Sequence, residues 1–253
     1  MTKAQYTVHE IELPGSNSAV PGQKTAKQKL KTYSLDLRIH SPVSLGYFGM
    51  EGLDAYPALV RLAKTKGLDV IAVTDFYRSA SIDKVKEAAA GSGMLVIPGV
   101  DIRAATPECN DIQITCLFPE HVGSQQVAEF LEKLEVPAAA EGRRDFIVAK
   151  DLRDILAILE ALGGGCFPSR MDKTPTRMGA IPRLVDEYGL RAFDLAYTES
   201  ARFFQARWPK EKFNLFSFSN ANALAQVGSR SARVKLDKPS FEALLQLVKR
   251  KSA

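Results

Sequence analysis

The feature that most constrains the fold is a regular alternation of short apolar runs and amphipathic segments, from Tyr33 to about Arg250. Short apolar runs are typical of buried strands, and apolar residues three and four positions apart are typical of helices. Predicted strands cover residues 35–39, 70–74, 95–100, 112–117, 166–167, 192–196 and 215–218. Predicted helices cover residues 53–65, 81–90, 125–134, 150–162, 181–188 and 241–250. Strands that alternate with helices favour parallel pairing through βαβ units, so we predict an α/β fold.

Polar side chains recur where the predicted strands end. In a barrel of parallel strands, the carboxyl ends of the strands form one rim, and residues there surround a single pocket. The alternation alone does not distinguish a barrel from an open sheet. The residues concerned are Arg38, His40, Asp75, Asp101, Arg170, Asn220 and Asn222.

The composition is that of an ordinary soluble globular protein, with 253 residues, 45% of them hydrophobic and 25% charged. We predict a partly flexible N-terminal extension over residues 1–31, with one edge strand at 7–13, and a single domain over 32–253. No apolar run reaches the roughly 18 residues that cross a membrane, and the N-terminus lacks the apolar core of a signal peptide.

The cysteines and the net charge restrict the setting and the partners. Cys109, Cys116 and Cys166 are odd in number and form no C-x-x-C pair, which favours reduced thiols in the cytoplasm. The formal net charge of +5 and the isoelectric point near 9.0 permit an anionic partner. Nothing in the pattern predicts an oligomeric state.

The segment Asp36-Leu37-Arg38-Ile39-His40-Ser41 has the form of a metal-binding strand with one ligand replaced. Residues two apart on a strand share a face, so Arg38 and His40 project together. Two histidines there would offer two imidazoles to a metal, whereas a guanidinium is always charged and has no lone pair to donate. The first functional question is therefore whether metal chemistry survives.

Seven blocks in order make the chain similar to the PHP family, the polymerase and histidinol phosphatase domains. That family typically has Asp-Leu-His-x-His-Ser, then Ala-Lys-x-x-Gly-Leu-Asp, Thr-Asp-His and Pro-Gly-Val-Glu, then a His before an apolar strand, Pro-Ala-His-x-Asp-Arg and finally Ser-Asp-Ala-His. The corresponding blocks here are residues 36–41, 63–69, 74–76, 98–101, 113–118, 168–173 and 219–222. The resemblance implies a distorted (β/α)7 TIM-like barrel whose active members hydrolyse phosphate esters with up to three divalent metals.

The departures from the family pattern fall on the metal ligands. A histidine is replaced at Arg38, Phe76, Gln113, Arg170 and Asn222, and an aspartate is replaced at Asn220. Asp101 stands for a glutamate, and only His40 and Asp75 are unchanged. Amides are weak ligands for zinc, iron or manganese, phenylalanine is none, and two arginines would repel a metal.

Our leading hypothesis is a pseudoenzyme, a PHP homologue that acts as a binding or regulatory module. Arginine has a planar fork of donors suited to phosphate, so the pocket would bind a phosphate-containing small molecule or another anion. The candidate anion-binding residues are Arg38, His40, Arg170, Gln113, Asn220 and Asn222. A different outcome for the same residues is an internal network in which Arg38 and Arg170 pair with Asp75 and Asp101.

Two other functions remain open on the sequence. A metal-dependent phosphoesterase would keep one weak divalent ion, zinc, manganese or iron, at His40, Asp75 and Asp101; no other cofactor is expected. A scaffold would contact a protein or nucleic acid through its basic surface. Phe203, Phe204 and Trp208 with interleaved arginines fit base stacking, but the same spacing fits an amphipathic segment packed on the barrel.

Overall fold

The computed structural model describes residues 30–44 and 54–251, together with the backbone of Ile11–Glu12. Within these residues, the strands are β1 (Ile11–Glu12), β2 (Lys31–Ile39), β3 (Val70–Val73), β4 (Leu95–Thr106), β5 (Cys109–Leu117), β6 (Gly165–Ser169), β7 (Ala192–Asp194), β8 (Asn214–Phe216) and β9 (Ala232–Leu236). The helices are α1 (Ala55–Thr65), α2 (Ile82–Ala89), α3 (Ser124–Lys133), α4 (Leu152–Ala161), α5 (Pro175–Asp186), α6 (Ala201–Arg207) and α7 (Phe241–Val248).

The strands form one mixed sheet in the order β1-β9-β2-β3-β4-β5-β6-β7-β8. Pairing is parallel through β2, β3 and β4, and again through β6, β7 and β8. The expectation of parallel pairing is wrong for β2 with β9 and for β5 with both its neighbours, which pair antiparallel. A hairpin joins β4 to β5, with Thr106 opposite Cys109, and such a tight turn can connect only antiparallel strands.

The chain after β8 closes the sheet into a barrel. Ala221 pairs in parallel with Ile39 of β2, and the His40 amide donates to the Ala221 carbonyl at 2.8 Å. On β2, the fully buried Asp36 accepts the amides of Ser219 at 3.2 Å and Gly228 at 3.1 Å. The expected distorted TIM-like α/β barrel is therefore confirmed.

The apolar core is divided between the inside of the barrel and its helical coat. One buried cluster draws on every strand from β2 to β9 and on α7, and includes Leu35, Ala72 and Phe167. Two further clusters join the outer faces of the strands to the surrounding helices. Burial of apolar area on both faces of the sheet is the dominant stabilising term for such an architecture.

Several elements differ from their predicted limits. β4 continues six residues past its predicted end, because Asp101 and Arg103 interrupt the apolar run although both lie on the strand. α5 begins at Pro175, six residues before its predicted start, with Thr174 as its N-cap and Pro182 inside the helix. Neither β9 nor α6 was among the predicted elements.

The predicted extension at residues 1–31 mostly lies outside the described residues. Its predicted edge strand at 7–13 overlaps β1, which pairs in parallel with β9.

The residues Phe203 and Phe204 lie on α6, where Phe204 is buried and Phe203 packs against the same cluster, as in the amphipathic interpretation. None of the described helices has the length and apolarity needed to cross a membrane.

Candidate functional site

An irregularity in β2 turns Arg38 into the barrel. Asp36 pairs with Ile71 and Ile39 with Val73, so two residues of β2 stand opposite one residue of β3. A bulge of this kind re-aims a side chain. Leu37 joins the inner core cluster, and the neighbouring Arg38 also reaches groups inside the barrel.

Arg38 forms ion pairs with two carboxylates from different strands. Its Nη2 lies 2.9 Å from Asp101 Oδ2 on β4, and its Nη1 lies 2.9 Å from Asp194 Oδ2 on β7. All three side chains are at most 1% exposed. Burial alone would lower the pKa of Arg38, but the charges of Asp101 and Asp194 raise it above its ordinary value. A fixed guanidinium thus bridges two buried carboxylates at the centre of the site.

The carboxylates of Asp101 and Asp194 also accept hydrogen bonds from neutral donors. Asp101 accepts Gln113 Nε2 at 2.7 Å and the Thr115 hydroxyl at 2.6 Å. Asp194 Oδ1 accepts the amide of Phe218 at 2.8 Å. Burial raises the pKa of Asp194, while Arg38 and Arg170 act in the opposite direction. The geometry holds both carboxylates for hydrogen bonding rather than for an additional ligand.

Arg170 lies at the edge of this network in a strained conformation. Its φ of 56° is in the left-handed region, which is uncommon for a residue other than glycine. Its Nη2 donates to the Phe218 carbonyl at 3.0 Å, and its Nε lies 3.5 Å from Asp194 Oδ2 without the alignment of a hydrogen bond. Asn220 has a φ of 51° and a buried Oδ1 with no partner among the described residues. Strain of this kind concentrates at functional sites.

His40 and Asp75 form a second, separate group. His40 Nδ1 lies 3.8 Å from Asp75 Oδ1, which is too far for a hydrogen bond. Asp75 instead accepts the Ser41 amide at 2.8 Å and the hydroxyls of Ser41 and Ser44, each at 2.5 Å. Burial lowers the pKa of His40, with Arg38 acting in the same direction, so this imidazole is neutral at pH 7. It stacks on Phe76 with ring centroids 5.6 Å apart.

We call the rim formed by Arg38, Asp75, Asp101, Arg170 and Asn220 the barrel mouth. A pocket of about 410 Å³ opens beside His40 and Phe76. It is also lined by two surface ion pairs, Arg78–Glu141 and Arg143–Asp145, and by Arg144.

The predicted site residues are only partly brought together. Arg38, Arg170, Gln113 and Asp101 share one network, joined through the two carboxylates. In the internal-network hypothesis the pair Arg38–Asp101 is correct, but Asp75 does not pair with either arginine. Asn222 contributes its backbone amide to Gln226 and is connected to neither group.

Asp194 is the residue that sequence reasoning missed. It lies inside the predicted strand 192–196, whereas the observed strand β7 ends at Asp194. The rule of polar residues at strand ends therefore passed over it because the end of this strand was predicted two residues too late. Thr115, whose hydroxyl lies 2.9 Å from that of Ser169, carried no such signal because it occurs inside the predicted strand 112–117.

The donors at the mouth do not fit a cluster of divalent metals. Across residues 30–44 and 54–251, no group of three or more His, Cys, Asp or Glu side chains is arranged to hold an ion. The guanidinium of Arg38 lies between Asp101 and Asp194, and a cation at that position would meet its full charge. His40, Asp75 and Asp101 do not converge on one point.

Comparison with known proteins identifies the architecture. No family model matches the chain, and no curated protein sequence matches it. Among solved structures, the lesion-specific endonuclease PfuEndoQ from Pyrococcus furiosus aligns with a TM-score of 0.62 and 18% identity over 87% of this chain. A two-domain protein from Bacteroides vulgatus, containing a predicted PHP-like metal-dependent phosphoesterase, aligns with a TM-score of 0.54 and 16% identity over 96% of this chain.

The chain has the PHP fold. It spans 56% of the endonuclease and 67% of the Bacteroides protein. An amidohydrolase from Chromobacterium violaceum, with bound sulfate and no metal, aligns with a TM-score of 0.56 and 13% identity over 85% of this chain and 97% of its own length. At these identities the similarity establishes the PHP fold, and function has to be argued from the site.

Proposed function

We propose that this protein is a PHP-fold binding module that takes an anion at the barrel mouth and does not hydrolyse phosphate esters by a metal-cluster route. The observation that carries the proposal is the double ion pair of Arg38 with Asp101 and Asp194. A side chain that is always charged supplies the positive charge that a metal would bring, but it cannot activate water as a Lewis acid. The interior of the barrel thus stays polar, but no Lewis acid is left there to activate water.

The anion-binding part is supported by the charges around the mouth. Arg170 is 16% exposed, so its guanidinium can be reached from outside the network. Its pKa is lowered by burial and by the charges of Arg38 and Arg230, although Asp194 and Asp172 act in the opposite direction. Guanidinium groups in such positions bind phosphate or sulfate with charge-assisted hydrogen bonds. The sulfate in the Chromobacterium structure, which has the same fold and no metal, is consistent with an anion held by protein groups.

Two measurements test the enzymatic side. After incubation with Zn²⁺, Mn²⁺ or Fe²⁺ and dialysis, elemental analysis is expected to find less than one equivalent of metal per chain. Hydrolysis of p-nitrophenyl phosphate is expected to stay at the level of a chelator-treated control. Two or more equivalents of metal, or turnover that a chelator abolishes, would instead establish the metal-dependent phosphoesterase.

Titration with inorganic phosphate tests the binding side. Calorimetry on the wild-type chain is expected to give saturable binding, and Arg170→Ala is expected to weaken it because one positive charge leaves the mouth. Absence of binding in the wild type at millimolar phosphate would refute the proposal. The variant Arg61→Gln is the matched control, since Arg61 lies on the exposed side of α1.

A further inference from the structure

Three arginines that the family resemblance does not single out converge beside the mouth. Arg103 on β4 and Arg177 in the first turn of α5 both bind the carboxylate of Asp111, Arg177 through Nη2 at 2.5 Å. Arg103 and Arg144 also lie over the Phe76 ring, 5.8 Å and 5.7 Å from its centroid. We call Arg103, Arg144 and Arg177 the arginine cluster.

The arginine cluster carries more positive than negative charge. Burial lowers the pKa of Arg103, and the charges of Arg177 and Arg144 lower it further, while Asp101 acts in the opposite direction. The guanidinium groups of Arg103, Arg144 and Arg177 therefore repel one another. Asp111 is shared by two of them, and Asp145 is committed to Arg143 at 2.8 Å. Arg38 also faces Arg177, but its charge is matched within its own network. Four cations, counting Arg143, therefore stand against Asp111 and Asp145, with Asp75 as a third carboxylate on the adjoining pocket.

Unused donors are present in the same place. The Nε of Arg103 is buried and has no partner in the described part of the chain. Arg144 is exposed and forms no ion pair with a described carboxylate. The N-terminal end of α5, a helix of 12 residues, adds partial positive charge from its side.

We propose that the arginine cluster is the recognition site for the terminal phosphate of a phosphomonoester. This inference rests on the proposed function and places its anion beside the barrel mouth, at residues outside the rim that defines it. The excess of guanidinium groups over carboxylates favours an anion, and guanidinium forks suit the oxygens of a phosphoryl group. The organic part of the ligand extends into the adjoining pocket of about 410 Å³, which Arg144 and Phe76 line.

The first test compares anions of different charge on the full-length chain by calorimetry. Sulfate, a dianion throughout the neutral range, is expected to bind about tenfold or more tightly than nitrate at equal ionic strength. At pH 8, methyl phosphate is expected to bind in the same range as sulfate, and dimethyl phosphate about as weakly as nitrate. Equal affinity for methyl and dimethyl phosphate would overturn the assignment and indicate a phosphodiester backbone as the ligand.

The second test locates the site. Arg144→Gln is expected to weaken sulfate binding about tenfold or more, since one charge-assisted contact is lost and Arg144 is exposed enough to leave folding intact. Arg177→Lys keeps the charge but loses the fork and is expected to weaken binding to a smaller extent. Arg61→Gln, with the same change of charge on α1, is expected to leave affinity unchanged.

The outcomes separate this inference from the function on which it rests. If Arg144→Gln behaves like Arg61→Gln while Arg170→Ala abolishes sulfate binding, the arginine cluster is the wrong location and the anion-binding function stands. If the wild type binds neither sulfate nor inorganic phosphate, the proposed function itself fails. Weaker binding in Arg144→Gln than in Arg170→Ala supports the assignment.

Discussion

At the scale of the residue, Arg38 determines the character of this site. A buried ion pair does not in general stabilise a fold more than apolar residues of the same volume, because both charges lose their hydration. Removing one member is different, since it leaves its partners charged and uncompensated. Asp101 and Asp194 are both fully buried and both depend on this guanidinium.

We therefore expect Arg38→Ala to lower the free energy of unfolding at pH 7 by about 3–5 kcal/mol. The loss should become smaller towards pH 4, because burial raises the pKa of Asp194, and once this carboxyl is protonated it no longer needs a cation. Urea unfolding at the two pH values measures both effects. Arg61→Ala on the exposed side of α1 is the control and should change stability by less than about 0.5 kcal/mol. A loss below about 1 kcal/mol in Arg38→Ala would show that solvent reaches the network and replaces the guanidinium.

Sequence reasoning located the individual residues better than it located their partners. Arg38 and His40 were expected to project together. The bulge at residues 37–38 instead turns Arg38 towards Asp101 and Asp194, whereas His40 lies beside Asp75. The partner of Arg38 on β7, Asp194, lies 156 positions away in the chain, and no local pattern links the two. Such pairings depend on which strands the barrel brings face to face.

At the scale of the element, the close packing of β4 against β5 depends on the glycine at position 99, which has no side chain. A Cβ on Gly99 of β4 would lie 2.9 Å from the Cys116 carbonyl oxygen and 2.9 Å from Thr74 Cγ2. Neither neighbour can withdraw easily, because one is backbone of the adjacent strand and the other is fully buried. Gly99 thus lets β4 and β5 lie beside the end of β3.

Gly99→Ala is expected to destabilise the fold by about 1–3 kcal/mol, the usual cost of overpacking a core. Gly179→Ala is the matched control on α5, where a Cβ meets nothing within 4 Å. This control should raise stability by about 0.5–1 kcal/mol, because alanine favours the helix. Thermal unfolding of the two variants and the wild type measures the expected loss of stability in Gly99→Ala and the expected gain in Gly179→Ala. Equal changes in stability in the two variants would contradict the packing argument.

The segment that closes the barrel is held to β2 by hydrogen bonds to Asp36. Burial raises the pKa of this carboxyl to about 7, although the amides of Ser219 and Gly228 act in the opposite direction. The folded pKa lies above the ordinary value of 3.8, so the protonated form is favoured in the fold. Protonated Asp36 therefore stabilises the fold fully below pH 4, and this stabilisation is lost as the pH rises to about 7.

Comparison of the wild type with Asp36→Asn isolates this effect. The stability of the wild type relative to the variant should fall between pH 4 and pH 8, by at most about 4 kcal/mol for a shift of roughly three units. Asp194 and His40 titrate in both proteins, so their contributions cancel. Urea unfolding at intervals of one pH unit provides the measurement. A difference that does not change with pH would show that Asp36 stays ionised and is held by the two amides.

At the scale of the whole molecule, protein charges alone hold the mouth together. Arg38, Arg170, Asp101 and Asp194 sum to zero when all are ionised, and they link β2, β4 and β7 to the residue that follows β6. If the stability of the barrel came from a bound metal, it would depend on the concentration of that metal. An internal guanidinium removes this dependence.

We expect the melting temperature to change by less than about 1 °C when the protein is dialysed against EDTA or supplied with Zn²⁺ or Mn²⁺. Differential scanning fluorimetry at fixed ionic strength measures it, with sulfate as the ligand that should raise the melting temperature. A decrease of several degrees in EDTA, reversed by one of these metals, would show that a resident ion stabilises the mouth.

The sequence by itself determined the alternation of strands and helices, because apolar runs and helical periodicity are local patterns. The barrel was expected only from the resemblance of seven sequence blocks to the PHP family. The tertiary structure decided which strands run antiparallel, which carboxylates Arg38 binds and that Arg103, Arg144 and Arg177 meet. These outcomes depend on distances between residues far apart in the chain, set by barrel closure and burial of apolar area. Local patterns carry no information about charges that approach one another only after the barrel has formed.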